Sequence, residues 1–305
     1  MPVWYRGALF YGVLRMDIPQ GNTTRPGAVG AFLLYANLPV GGIAVCFVLG
    51  TYALLGLPPS LPLLLLAFCG VFLVYQVERT LNPAPEDAFN HPNRLAWVAG
   101  HRRYVWVSTG LAVGGVVATL PWLQPETLAA GVVLALGSGF YMVPVGPRRR
   151  RLKSVWYLKP LVISGAWAVG GVLLPVLEAG APVATGVVAL MGYRLLFVLP
   201  NALLADWPDR AGDARAGLVT VATRSSAGQI RRLSVVALLT ALGGGFVALS
   251  AFEVPWLLAV DLVGLLVMLI VVVRPWPQTR WFFGFVLDLI VAWPVMTAAG
   301  AWLLE

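Results

Sequence analysis

The stretch NALLADWPDRAGDARAGLVTVATR, residues 201–224, begins in an apolar run and ends in a polar loop. It holds three acids, Asp206, Asp209 and Asp213, at positions i, i+3 and i+7. On a helical path this spacing places all three carboxylates on one face, where they repel each other. The stretch therefore predicts a cation site, and Mg²⁺ takes carboxylate oxygens and shares them with substrate phosphates. The alternative is a solvated acidic loop between two helices.

The composition indicates a protein that crosses a membrane several times. The chain has 305 residues, of which 59% are hydrophobic and 11% charged, whereas soluble domains carry about 25% charged residues. Its mean hydropathy is +0.82. The net charge of +8 mostly reports topology in such a protein, so nucleic-acid binding is not indicated. Both cysteines lie in apolar runs, and the two histidines have no cysteine nearby, so neither a disulfide scaffold nor a zinc site is predicted.

Apolar runs separated by polar loops predict an all-α fold with nine transmembrane helices. A spanning helix needs about 20 apolar residues. The runs that meet this condition are 28–56, 61–80, 103–121, 126–146, 156–177, 182–205, 232–252, 254–273 and 282–303. Residues 1–27 are interpreted as an interfacial lead-in, and residues 28–305 as a single nine-helix domain.

Charge asymmetry predicts the orientation of these helices. The lead-in, the long loops and the loop between the last two spans carry 20 of the 21 Lys and Arg residues. By the positive-inside rule, these segments face the cytoplasm and Glu305 lies outside, in an inner or plasma-type cell membrane. The two long loops 78–102 and 206–231 correspond to each other, with Asp87 aligned to Asp213. This correspondence predicts two four-helix pseudo-repeats plus one helix, with ligands at the repeat interface.

At this point the chain resembles the UbiA superfamily of intramembrane prenyltransferases. In that family nine helices surround a central cavity, and two Asp-rich motifs hold Mg²⁺ and the diphosphate of an isoprenoid. The second motif is DxxDxxxD, which Asp206, Asp209 and Asp213 match position for position. The residues that look like the family's flanking positions are Asn201, Ala216, Gly217, Thr220 and Ala222.

A basic segment between the fourth and fifth spans also fits this resemblance. Tyr141, followed by Arg148 to Lys153 and then Lys159, resembles the family's basic loop beside the diphosphate. Lys and Arg supply charge-assisted hydrogen bonds to phosphate oxygens. The resemblance implies a catalytic role for Lys153 with the three acids, and substrate-binding roles for Lys159, Asn201 and Tyr141. Arg148 to Arg151 is equally explained as a topology-setting basic run.

The first Asp-rich motif departs from the family pattern, which is roughly NDxxDxxxD followed by NxPxR. The downstream part survives as NHPNR, residues 90–94, and Asp87 is the last acid. Pro83 stands where the middle acid is expected, and Arg79 where the leading Asn is expected. His91 is interpreted as a loop histidine without a catalytic role, in preference to a base.

Two outcomes of this change stay open. In the first, Glu78 and Glu86 hold a metal together with Asp87. In the second, the first metal is lost and Arg79 or Arg94 neutralises the phosphate, because a guanidinium can do so without a metal. A third interpretation is that the motif no longer binds diphosphate.

Three charged residues lie inside the predicted spans. Arg194, Asp261 and Asp288 each cost at least about 2.5–3.5 kcal/mol at the bilayer centre unless paired. We expect them to face the bundle interior and Arg194 to pair with one of the two acids, preferably Asp288 because of its similar depth. The pair either fixes helix packing or forms, with Asn37, a polar wall that orients and binds a substrate.

The resemblance implies an intramembrane prenyltransferase, which ionises an isoprenoid diphosphate with Mg²⁺ and transfers the prenyl group to an aromatic or lipid acceptor. The alternative hypotheses are a UbiA-like terpene cyclase and a prenyl-lipid-binding or transport protein without transferase activity. Diphosphate release that depends on a divalent cation discriminates the enzymes from the binding protein.

Overall fold

The computed structural model describes residues 27–81, 83, 86–142, 144–145, 150–151, 157–248, 255–277 and 279–303, without the side chains of 141–142, 144–145 and 150–151. Within these ranges, eight helices are long and apolar enough to cross a membrane, and a shorter apolar helix occupies the fourth predicted position. The chain is therefore an all-α, multi-pass membrane protein, as predicted. The proposed lead-in lies outside the described residues apart from Gly27.

In the part of the chain that the structure describes, the eight long apolar helices and the shorter fourth helix follow the predicted order. They are α1 (Leu38–Leu55), α2 (Leu61–Leu81), α3 (Arg102–Trp122), α4 (Pro125–Met142), α5 (Leu158–Glu178), α6 (Thr185–Ala205), α7 (Ala227–Ala248), α8 (Pro255–Val273) and α9 (Phe282–Trp302). Wider π-helical turns end α2 at Val77–Leu81, interrupt α5 at Val169–Leu173 and begin α9 at Phe282–Val286. Leu120–Trp122 of α3 is a 3₁₀ turn.

Short elements fill the segments between the spans. The short helices are Ala28–Tyr35, Asp87–Asn90, Pro92–Gly100, Arg210–Arg215 and Val221–Arg224. Strand β1 (Pro144–Val145) pairs antiparallel with β2 (Arg150–Arg151), with Pro144 opposite Arg151. This two-residue hairpin lies in the basic loop between α4 and α5.

Neighbouring helices pack side by side into a ring. Helix α1 packs on α2 and α2 on α3, while α5 to α9 pack in chain order. The ring closes because α9 packs on α1. A glycine makes this closure possible, since a Cβ at Gly50 would lie 2.3 Å from Cβ of Pro294. The predicted central space is thus enclosed by α1, α9 and their neighbours.

Arg194 has a different partner from the predicted one. Its Nη1 and Nη2 donate to Oδ2 and Oδ1 of Asp261 at 2.8 and 3.0 Å. Tyr193 and Thr297 also donate to this carboxylate. Asp261 has all its acceptor sites filled by α6 and α9, and both ions are buried. The preferred Arg194–Asp288 pair is therefore wrong, although both ions face the bundle interior as expected.

Candidate active site

The three acids of the second motif follow the last turn of α6. The helix ends at Ala205, and the chain continues through a 3₁₀ turn, Trp207–Asp209, into the short helix Arg210–Arg215. The path is helical, as the spacing predicted, but it consists of three pieces. Asp206 and Asp213 are buried, each with 6% of its surface exposed. These acids thus lie at the end of a spanning helix without facing open solvent.

Asp206 and Asp213 interact electrostatically as a pair. Burial, followed by the negative charge of Asp206, raises the pKa of Asp213 from 3.8 to about 6. A buried carboxylate whose pKa is raised further by a second carboxylate marks a place where a cation is stabilising. Lys159 Nζ donates to Oδ1 of Asp206 and partly supplies that charge. The structure thereby brings Lys159 next to the second motif, where the resemblance placed it.

The surviving part of the first motif contacts the second motif directly. Asn90 Nδ2 donates to Oδ1 of Asp213 at 2.9 Å. The two loops approach so closely that a Cβ on Gly212 would lie 1.8 Å from Asn90 Oδ1. Only glycine fits at this position without displacing Asn90. The loop 78–102 and the loop 206–231 thus form one site.

Asp209 is held by a histidine and an arginine. His91 Nε2 lies 3.0 Å from Asp209 Oδ2, and Arg280 Nη1 donates both to Asp209 Oδ1 and to His91 Nδ1, each at 3.0 Å. Because Nδ1 accepts a hydrogen bond, His91 is the neutral tautomer that donates from Nε2. Burial also lowers the pKa of His91, which agrees with a neutral ring.

The ionisation of Asp209 follows from these contacts. Burial alone raises the pKa of Asp209, but the hydrogen bond from His91 and the Arg280 guanidinium outweigh burial and lower it from 3.8 to about 2. Asp209 is therefore a firmly ionised carboxylate whose charge is already compensated. Of the three acids, it is the one least available to a metal ion.

The acids of the first motif are not gathered into a cluster among the residues that the structure describes. Asp87 Oδ1 accepts from Arg94 Nη2 at 2.9 Å. Among the residues that the structure describes, no group of three or more Asp, Glu, His or Cys side chains is placed to hold a metal ion. The predicted cluster of Glu78, Glu86 and Asp87 is thus not assembled, and the alternative with Arg94 near the site agrees better with the geometry.

The donor chemistry of the second motif fits one divalent ion. Mg²⁺ is commonly bound through one or two carboxylates together with substrate phosphates. Asp206 and Asp213 provide two such carboxylates, both of them buried, and the negative charge of Asp206 contributes to the raised pKa of Asp213. The residues present therefore fit a single Mg²⁺ on these two acids.

A cavity of about 370 Å³ lies between α1 and α9. Three polar side chains, Asn37, Arg79 and Asp288, interrupt its apolar lining. Asn201 Nδ2 donates to Asp288 Oδ1 at 2.9 Å, which connects α6 to this cavity. The guanidinium of Arg79 lies 4.3 Å from the centre of the Tyr75 ring. The predicted substrate-binding residues Asn37, Arg79 and Asn201 are thus brought to one region.

The structure does not describe the side chains of two predicted site residues. It also brings to the site a residue, Arg280, that the sequence did not indicate. Lys153 lies outside the described residues, and for Tyr141 only the helix backbone is described. Arg194 is enclosed by its contacts with Asp261. Arg280 was missed because its position in a basic loop between spans suggested topology alone. Its position directly before α9, on the same side as both motifs, was the available signal.

No protein-family model and no curated protein matches the sequence. The structure of a UbiA homologue from Archaeoglobus fulgidus bound to GPP and Mg²⁺ matches with a TM-score of 0.64 at 12% identity, covering 89% of this chain and 99% of that chain. The chain has the UbiA fold.

A second UbiA structure agrees with this assignment. The apo structure of a UbiA homologue from Aeropyrum pernix K1 matches with a TM-score of 0.57 at 13% identity, covering 87% of this chain and 97% of that chain. The match spans nearly the whole of both UbiA chains. The fold predicted from the resemblance is therefore confirmed over almost its full length.

Proposed function

We propose that this chain is a member of the UbiA superfamily and acts as an intramembrane prenyltransferase. The observation that carries the proposal is the buried pair Asp206 and Asp213, joined to the remnant of the first motif by Asn90. The neighbour from Archaeoglobus fulgidus was solved with GPP and Mg²⁺. The same class of ligand, an isoprenoid diphosphate with a divalent ion, suits two buried carboxylates that interact electrostatically and have basic side chains beside their motif.

The proposed site uses one metal position. Asp206 and Asp213 hold Mg²⁺, which when bound stabilises the negative charge on the leaving diphosphate. Arg79, Arg94 and Lys159 supply charge-assisted hydrogen bonds to phosphate oxygens. Arg94 already lies in the loop of the first motif, where it forms an ion pair with Asp87. In this proposal guanidinium groups take the place of the first motif's metal.

Asn90 and His91 are positioning residues in this proposal. Asn90 orients the carboxylate of Asp213, and His91 with Arg280 fixes the carboxylate of Asp209. Lys153 is proposed to reach the diphosphate from the basic loop, and Tyr141 to contact the substrate at the end of α4. The diphosphate head lies at the two motif loops, and the prenyl chain extends into the membrane.

The orientation is part of the same proposal. Positive residues concentrate in the loops that carry both motifs, so these loops face the cytoplasm and the C-terminus lies outside, in a cell membrane of inner or plasma type. The partners are an isoprenoid diphosphate and a lipophilic acceptor.

The test is diphosphate release by purified protein in lipid nanodiscs that are supplied with geranyl diphosphate. We expect release with Mg²⁺, none with EDTA, and loss of at least about a hundredfold in Asp206→Asn, because leaving-group stabilisation is removed. Glu126→Gln is the matched control, since Glu126 begins α4 away from both motif loops. Binding of geranyl diphosphate without release in any acceptor extract would instead assign the chain to prenyl-lipid binding or transport. Release with a cyclic product would assign it to terpene cyclisation.

A further inference from the structure

The cavity between α1 and α9 has one polar end. Most of its wall is apolar, and its polar groups are the side chains of Asn37, Arg79 and Asp288. Ionisable side chains at membrane depth are costly and usually mark a functional site. Asp288 differs from Asp261 in this respect, because Asp261 is saturated by Arg194, Tyr193 and Thr297. Asp288 needs another explanation.

The carboxylate of Asp288 is half engaged. Its Oδ1 accepts from Asn201, whereas no hydrogen bond to Oδ2 is made by any residue that the structure describes. Oδ2 is not among the described polar atoms that are both fully buried and without a hydrogen-bond partner. Because Asp288 lines the cavity, Oδ2 is therefore accessible from it. One carboxylate oxygen is thus fixed by α6 and the other is free to accept a hydrogen bond.

A second acceptor belongs to Asn37. Gln76 Nε2 donates to the backbone oxygen of Val105, which leaves Gln76 Oε1 to accept from Asn37 Nδ2 at 2.8 Å. This network fixes the amide orientation of Asn37. Thr80 Oγ1 accepts from the same nitrogen, so the Oδ1 atom of Asn37 is the group that remains for a ligand.

The polar end also lies close to the proposed site of ionisation. Asn201, which holds Asp288, lies five residues before Asp206 on the same helical path. At 1.5 Å per residue this places the two levels about 7.5 Å apart along the axis. A ligand at Asp288 would therefore lie within about 7.5 Å of the level of the second motif, measured along the helix axis.

We propose that this cavity binds the acceptor of the prenyl group, that the acceptor is a lipid or other amphiphile with a hydroxyl, and that Asp288 takes the hydroxyl proton. Two hydrogen-bond acceptors, Asp288 Oδ2 and Asn37 Oδ1, select a donor such as O–H. The apolar wall accommodates the hydrocarbon part of the same molecule. This inference rests on the proposed function for its chemical step, and the binding itself is independent of it.

The step balances in atoms and charge. The bond between the prenyl C1 and the diphosphate oxygen breaks, and its electron pair leaves with the diphosphate. The acceptor oxygen donates an electron pair to C1 and forms an ether bond. The hydroxyl proton passes to the carboxylate of Asp288 and from there to water, so no oxidant or reductant is required.

Cys46 provides a test of binding that needs no turnover. This half-buried free thiol lines the cavity, and the only other cysteine is Cys69, which is replaced by alanine in the test background. Alkylation of Cys46 by N-ethylmaleimide is followed in nanodiscs with 1-dodecanol or with its methyl ether. We expect 1-dodecanol to slow alkylation about tenfold more than the ether, because only the alcohol donates a hydrogen bond to a charged acceptor.

Asp288→Asn is the informative variant. The asparagine Oδ1 still accepts from Asn201, so the contact to α6 is kept while the negative charge is lost. We expect this variant to protect Cys46 equally with alcohol and ether. In the transfer assay we expect its kcat to fall by about a hundredfold or more, as for loss of a general base, with unchanged Kd for geranyl diphosphate.

The outcomes separate the two proposals. Absence of geranyl diphosphate binding in the wild type overturns the proposed function, while the Cys46 result still decides the acceptor site. Equal protection by alcohol and ether in the wild type overturns the acceptor site. The acceptor site is also overturned if Asp288→Asn transfers at the wild-type rate. It is likewise overturned if only ring carbons are prenylated and hydroxyl acceptors give no product. Both outcomes leave the prenyltransferase proposal intact.

Discussion

Asn90 donates from Nδ2 to Oδ1 of Asp213 at 2.9 Å, and this bond joins the loop after α2 to the loop after α6. The two residues are far apart in sequence, and each belongs to a different Asp-rich segment. The remnant of the first motif therefore keeps a structural role at the site even though most of its acids are missing. The contact also explains why a glycine precedes Asp213.

Gly212→Ala is expected to disturb this contact. A Cβ there would lie 1.8 Å from Asn90 Oδ1, so Asn90 must move and its bond to Asp213 is lost. A hydrogen bond to a charged group contributes about 1.5–3 kcal/mol, so we expect a clearly lower melting temperature in nanodiscs. Gly110→Ala is the control, because a Cβ there meets no atom within 4 Å. Equal melting temperatures for the two variants would contradict the tight approach.

The raised pKa of Asp213 predicts a pH dependence of stability. Because folding raises this pKa from 3.8 to about 6, the folded protein binds more protons in that window, and the contribution of Asp213 to the free energy of unfolding falls as pH rises through it. Asp209 has the opposite sign: its pKa is lowered to about 2, so its contribution is lost as pH falls below 3.8.

The same titration predicts how Mg²⁺ binding depends on pH. Protonated Asp213 is a poor ligand, so Mg²⁺ affinity should fall about tenfold per pH unit below its pKa. Thermal stabilisation by Mg²⁺ between pH 7.5 and 5 measures this effect. We expect Asp213→Asn to show weak and pH-independent stabilisation. A wild-type response that stays constant over this range would contradict the assignment of Asp213 as a ligand.

Arg280 is expected to have opposite effects on two ligands. Arg280→Gln removes the positive charge held by Asp209, which frees a carboxylate and should raise Mg²⁺ affinity severalfold. The same change removes a cation from the mouth and should weaken binding of geranyl diphosphate by about fivefold. Calorimetric titration of both ligands checks this, with Arg274→Gln as a charge-matched control in the same loop. Parallel loss of both affinities would show that Arg280 only maintains the fold.

The buried pair Arg194 and Asp261 predicts a strong effect on stability. Asp261→Asn leaves the guanidinium buried without its counter-charge, which costs about 3–5 kcal/mol. The double variant Arg194→Met with Asp261→Asn should recover most of this loss, because no uncompensated charge remains. Melting temperatures of the single and double variants measure the coupling. Asp288→Asn should leave stability nearly unchanged, and a loss as large as that of Asp261→Asn would contradict the assigned pairing.

The sequence was sufficient to predict the helices. Runs of about 20 apolar residues and the basic loops between them gave nine spans in the right order, since a bilayer imposes a fixed length. The second Asp-rich motif was also found, because its spacing is local. These features depend on residues close together in the chain, so pattern alone indicates them.

Long-range partners could not be predicted in the same way. Asp261 and Asp288 bond to residues of α6 that are seven positions apart, Arg194 and Asn201, so the two acids lie at levels about 10 Å apart. The sequence does not show these levels, nor which side of each helix faces Arg194. Arg280 is 71 positions from Asp209 and lies in a loop whose charge was explained by topology. Such pairings depend on the rotation of each helix and on which loops meet above the ring, which only the packed structure specifies.

The central claim is that one divalent ion binds at Asp206 and Asp213. The most direct measurement is the number of Mn²⁺ ions that each chain binds with geranyl diphosphate, by equilibrium dialysis in nanodiscs with the spin resonance of free Mn²⁺. We predict one ion, lost in Asp206→Asn and kept in Glu78→Gln and Glu86→Gln. Two ions per chain, or an ion that survives Asp206→Asn and is lost in Glu86→Gln, would contradict the account.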